Sequence, residues 1–169
     1  MQKKTITIQI ELKPNNVQTK ILKDAMTQYI EALNFVSLYI FKTYNLDDWF
    51  LGNTLSYALT RTYHINRNMT YTLIHSVIAK YRTLLKRNLE WKQITFKKTY
   101  CELPLHSGYT VNSDYCSIKT NNGTLNIPYI PINYFYDLNN STYKLKTARL
   151  IIKKDKFYLN IPVTYYKND

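Results

Sequence analysis

The sequence predicts an α+β fold: an OB-like β-barrel interrupted after its first strand by a helical insertion. Three observations predict it. Residues 3–12 alternate apolar and polar with a period of two. Residues 17–88 carry apolar stripes at helical spacing, and from residue 92 onward the chain returns to short alternating segments cut by Pro, Gly and Asn-Gly. One early strand separated by helices from the remaining strands suggests a barrel with an insertion. The expected boundaries are residues 1–14 for the first strand, 15–91 for the helical insertion and 92–169 for the rest of the barrel.

The elements follow in order. In "KKTITIQIEL", Ile6, Ile8, Ile10 and Leu12 share one face while Thr5, Thr7, Gln9 and Glu11 share the other, as in a half-buried strand. Pro14 ends it, and "PNNVQ" offers Asn15 or Asn16 as a helix cap. Over 17–44, Leu22, Met26, Tyr29, Leu33, Val36 and Ile40 step by four and three, with Ile21, Ala25 and Ala32 widening the stripe. "NLDDWFLGN", 45–53, breaks the pattern, a shorter helix fits 54–64, and "INRN" breaks it again. A third helix fits 70–88. Leu73, Val77, Tyr81 and Leu84 form its buried face, with Ile74, Ile78 and Leu85 alongside, and Thr72, His75, Ala79, Arg82 and Lys86 lie opposite. Asn122-Gly123 signals a hairpin between "YCSIK" and "TLNIPYI". "STYKLKTARLIIKK", a turn at Asp155-Lys156 and "FYLNIPVTYY" supply the closing strands.

The chain of 169 residues has 45% hydrophobic content, enough for an ordinary core, and a net charge of +12. So much charge of one sign implies a polyanionic partner, nucleic acid ahead of an anionic membrane. No stretch approaches the ~18 apolar residues of a membrane span, and "MQKKTITIQIEL" lacks the apolar core of a signal peptide, so a cytoplasmic protein is expected. Cys101 and Cys116 form no CxxC pair, and His64, His75 and His106 are scattered. This spacing suits two reduced thiols in strands rather than a metal site, and no cofactor is expected. The 17 tyrosines can bury a ring and still offer a hydroxyl to a phosphate or a base.

The charge concentrates in the first hundred residues, with 15 Lys/Arg against 6 acids, compared with 8 against 5 afterwards. It is densest over 80–98, where Lys80, Arg82, Lys86, Arg87, Lys92, Lys97 and Lys98 face Glu90 alone and interleave with Trp91, Phe96 and, just beyond, Tyr100. Cations neutralise phosphates and aromatic rings stack on unpaired bases, though a solvated helix face has the same composition.

The order of these features resembles the N-terminal half of TnpB, the RNA-guided nuclease of insertion sequences related to type V CRISPR effectors. Carrying the resemblance are "ALNFVSLYIF" in the long helix, the basic helix 70–88, "ITFKK" at 94–98 and, most specifically, "LKTARLIIKKDKFYLNIPVTY" at 145–165. The family's "P-x-F-K-K" lacks its proline here, and the helix after "NLDDWF" has no counterpart. The resemblance implies a wedge barrel with a helical recognition insertion. Such a module grips structured guide-type RNA and, as a second partner, duplex DNA at a short motif. By position on the third helix, Thr72, His75 and Ser76 would meet the DNA. Lys80, Arg82, Lys86, Arg87, Lys92, Lys97 and Lys98 would meet phosphates.

The family's RuvC nuclease domain begins with "G-I-D-x-G" after the closing hairpin. This chain stops at Asp169 before any such text, and its 11 acids show no constellation of three carboxylates for two metal ions. Catalysis is therefore not expected. Asp47-Asp48, the only adjacent acidic pair, suits a helix cap or a solvated turn. Three readings stay open. The chain is a binding module; or it is half of a split nuclease whose separate RuvC chain docks on 145–165, tested by a RuvC reading frame immediately downstream, or a decayed transposon remnant; or it is an inhibitor mimicking a related effector. An apolar tail left as an open sheet edge motivates the second.

Overall fold

The computed structural model describes residues 2–132 and 142–167, the last of these by its backbone alone. Among them the fold is mixed α+β, with three α-helices and two antiparallel sheets. The strands are β1 (Gln2–Leu12), β2 (Tyr100–Leu103), β3 (Tyr109–Val111), β4 (Tyr115–Thr120), β5 (Gly123–Pro128), β6 (Lys144–Leu145), β7 (Ala148–Lys153) and β8 (Lys156–Lys167). The helices are α1 (Asn16–Thr43), α2 (Asp48–Arg61) and α3 (Thr70–Lys86). None is long and apolar enough to cross a membrane. The chain divides into two compact units, residues 1–23 with 100–169, and residues 24–99.

In the first unit the larger sheet runs β1-β8-β7-β2, with β6 also on β8, and the smaller runs β3-β4-β5. β1 pairs with β8 over its whole length, from Gln2↔Lys167 to Leu12↔Phe157. The register puts Ile8, Ile10 and Leu12 level with Ile161, Leu159 and Phe157, and all six are buried. The alternation therefore continues across both strands, and a slip of one residue would expose the whole set. β8 is bounded on its other side by β7 and β6. The expectation of an open edge in "FYLNIPVTYY" is thus corrected: this is an interior strand. Pro162 is tolerated there because its neighbour is interrupted. Its carbonyl accepts from Lys146 N at 3.0 Å, so its nitrogen, on the same side of the strand, faces the gap between β6 and β7.

Two turns are shifted from expectation. The β4–β5 loop is Asn121-Asn122, closed by the pair Thr120↔Gly123, and Gly123 opens β5 at φ +100°. Neither asparagine takes a positive φ, so the left-handed step falls on the glycine after the turn rather than within it. In the β7–β8 hairpin, Lys153 pairs with Lys156, and Lys154 and Asp155 take φ +50° and +59°. That is the primed two-residue turn whose twist matches the strands, one residue earlier than expected. Ser141, at the start of the expected closing text, lies outside the described residues. Cys101 and Cys116 are buried cysteines in β2 and β4, and burial pushes Cys116 up to about 12.

α1 starts on a reciprocal cap. Asn15 Oδ1 accepts from Gln18 N at 2.8 Å, and Gln18 Oε1 accepts from Asn15 N at 3.0 Å. In the second unit its stripe Met26, Tyr29, Leu33, Val36 and Ile40 is fully buried, as are Leu51 and Leu59 of α2 and Leu73, Val77 and Tyr81 of α3. α2 begins six residues before the expected start at residue 54. Asp47 caps it, its carboxylate accepting from Phe50 N at 2.7 Å, so "DDWFLG" is a helical first turn and not a break. α3 matches its expected buried face except for Leu85, which is 52% exposed beyond the edge of the stripe.

Candidate nucleic-acid interface

The basic run 80–98 begins on α3 and leaves it at a defined point. Asn88 takes φ +52°, its N–H donates to Leu85 O, and Leu89 N donates to Leu84 O at 3.0 Å. This is the Schellman termination, for which Asn is the usual substitute for Gly, and it ends the helix after Lys86 and turns the chain back. Lys86 and Arg87 lie at the negative end of the helix dipole, which favours cations there.

Residues 92–99, expected to open the second run of strands, form no strand. They make a strap whose backbone is held by side chains. Asn34 donates through Nδ2 to Phe96 O at 3.1 Å and accepts from Phe96 N at 2.8 Å, meeting both backbone groups as a neighbouring strand would. Ile94 N donates to the Tyr81 hydroxyl at 3.2 Å, and Ser37 Oγ donates to Ile94 O. The Tyr81 hydroxyl donates in turn to Ser37 O at 2.9 Å. Ser37 and Tyr81 are fully buried, so this polar ring is satisfied internally. At the start of the strap, Trp91 Nε1 donates to Phe41 O at 3.1 Å. Ile94 and Phe96 are consequently half-buried, whereas Lys92, Lys97 and Lys98 are exposed.

The expected site residues separate into three groups. Lys80, Lys86, Arg87, Lys92, Lys97 and Lys98 are exposed and make no ion pair among the described residues. His75 and Arg82 are exposed but engaged. His75 Nδ1 is 3.5 Å from Asp48 Oδ1 and its ring stacks on Tyr71, while Arg82 Nη2 donates to Leu46 O at 3.3 Å. Both hold the start of α2. Thr72 and Ser76 are half-buried, and Ser76 Oγ donates to Leu73 O within its own helix.

Sequence reasoning missed a set of exposed aromatic residues in the same unit: Tyr44 at 69% exposure, Trp49 at 78% and Tyr57 at 74%. Tyr44 stacks on Trp91 with ring centroids 5.0 Å apart and planes 20° apart. Periodicity could have flagged Trp49, once α2 is started at Asp48, because it falls off the buried stripe Leu51, Leu55 and Leu59. Among the described residues no three His, Cys, Asp or Glu side chains gather where they could hold a metal ion.

No protein-family model matches the chain, and no curated protein matches it.

Proposed function

We propose that this chain is a nucleic-acid-binding module, built like the TnpB N-terminal half as a barrel with a helical insertion, that holds structured RNA without cutting it. One observation carries the reading. Six exposed cations, Lys80, Lys86, Arg87, Lys92, Lys97 and Lys98, follow one another along α3 and a strap that is fastened by buried polar side chains. A row of cations without acidic partners is what phosphate neutralisation requires, and each phosphate met releases a counterion. The net charge of +12 supports the same partner.

Support for the barrel comes from the join between the two sheets. Lys13 N donates to Pro128 O at 2.7 Å, Ile130 N donates to Glu11 O at 3.0 Å, and Leu12 bridges to Tyr129, so pairing continues from the end of β5 onto β1. Duplex DNA draws less support, because His75 is engaged with Asp48 and Thr72 and Ser76 are half-buried. A separate RuvC chain on 145–165 loses its motive once β8 is an interior strand.

The test is a salt titration of the full chain against an RNA hairpin, with a DNA duplex as competitor. Lys86→Glu with Arg87→Glu should weaken hairpin binding at least ten-fold and lower the slope of log affinity against log salt by about two. Unchanged affinity and slope would sink the assignment.

A further inference from the structure

We infer that Tyr44 and the open hollow beside it form a seat for an unpaired base of single-stranded RNA. The inference rests on the RNA-binding reading above and names the part of the RNA that this surface takes.

Tyr44 is an unusual way to end a helix. It follows α1 at φ +56°, and its N–H donates to Ile40 O at 2.9 Å. That left-handed closing position normally belongs to Gly or Asn, because a side chain there strains the backbone. Packing gives little in return, since Tyr44 is 69% exposed and its ring contact is a single stack on Trp91. Strain kept for so small a packing gain points to a further use for the side chain. The ring is also held. It stacks on Trp91, which is anchored through its indole N–H to Phe41 O and packs at 4.9 Å on the buried ring of Tyr81. One flat face is thus supported from behind by two anchored rings.

The hollow beside it is lined by Asn45, Leu46, Asp47, Asp48, Trp49 and Arg82 as well as Tyr44. Of its acids, Asp47 caps α2 through Phe50 N, and Asp48 Oδ1 lies 3.5 Å from His75 Nδ1 with no hydrogen bond among the described residues. Arg82 gives one bond to Leu46 O and keeps further N–H donors for a ligand. Lys92 follows Trp91, and Lys42 precedes Tyr44 by two residues; both are exposed. A preset π-face, a second exposed ring and uncommitted cations fit a flat group on an anionic backbone, which is an unpaired nucleotide. A cationic side chain is the rival occupant of such rings; Arg82 in the lining opposes it, Asp47 and Asp48 favour it, and a cationic probe therefore belongs in the test.

The test uses the full chain with three probes: a short labelled oligouridine, an RNA duplex of equal length and a trimethyl-lysine peptide. Tyr44→Asn should cost about ten-fold in oligouridine affinity, leave duplex binding and the salt slope alone, and not lower the melting temperature, because asparagine suits the left-handed position. Tyr44→Phe should bind as the parent does. Oligouridine affinity unchanged in Tyr44→Asn overturns the seat, and if Lys86→Glu with Arg87→Glu still weakens both RNAs, the reading under Proposed function stands without it. Equal loss of both RNAs with a lowered melting temperature would make Tyr44 merely structural and overturn the seat. Peptide binding that depends on Tyr44 while oligouridine binding does not would reassign the hollow. Failure of the parent chain to bind either RNA overturns both readings.

Discussion

Asn34 supplies to the strap the two hydrogen bonds that a neighbouring strand would supply, from 62 residues away in sequence. Asn34→Ala would leave the Phe96 N–H and C=O without their partners, at a cost of about 1–3 kcal/mol. Urea denaturation should show a lowered midpoint, with the hairpin-RNA affinity falling alongside as Lys97 and Lys98 lose their fixed mounting. The sequence shows an Asn beside the apolar stripe of α1 but not what it is for, because its partners lie in a segment that reads as strand. The thiols make a second case at this scale. Burial raises both Cys101 and Cys116, the latter from 9.0 to about 12. A group whose folded-state value is raised favours the fold below its unfolded value and loses that contribution as pH climbs towards the folded one. Stability should therefore decline between pH 9.0 and about 12. Cys116→Ala should flatten that decline, and a thiol reagent at mildly alkaline pH should label the chain only after unfolding. Two reduced cysteines in strands were legible in the sequence, although their burial was not.

At the scale of elements, two glycines behave in opposite ways. Gly123 opens β5 at φ +100°, with no atom within 4 Å of the position a Cβ would take, so Gly123→Ala would suffer from its backbone conformation alone. The expected cost is about 1–3 kcal/mol. Gly52 lies within α2, also with nothing within 4 Å and no positive φ, so Gly52→Ala should add about 0.5–1 kcal/mol. Thermal unfolding of the two variants should move in opposite directions, and a shift of Gly52→Ala to lower temperature would contradict a helix running through residue 52. The same glycine explains why the start of α2 was misread. "DDWFLGN" carries a Gly and two acids, which suggest a break by composition. Here the first acid is the cap, the second lies in the first turn, and the glycine is tolerated in a helix whose buried face is Leu51, Leu55 and Leu59.

For the whole molecule, β8 is the organising strand of the first unit, joined to β1 on one side and to β7 and β6 on the other. Hydrogen exchange should be slowest within that unit at the central amides of β8 and β1, where apolar cross-strand pairs meet, and faster in the three-residue β3. Faster exchange in β8 than in β3 would contradict the strand order. At this scale too, the charge of +12 is a property of the entire chain, whereas its placement on α3 and the strap gives it direction.

The sequence by itself determined whatever repeats within one element: the α1 and α3 stripes, the alternation of β1 and β8, a helix cap at Asn15 or Asn16 and the basic run. These follow from local periodicity and local hydrogen bonding, which a short window contains. Only the tertiary structure decided that β8 lies between two neighbours, that residues 92–99 bond to side chains rather than to a strand, and that His75 and Arg82 are engaged with the start of α2. Those outcomes depend on which distant backbone and side-chain groups meet. An alternating segment has the same pattern whether its partner is a strand, an asparagine side chain or water.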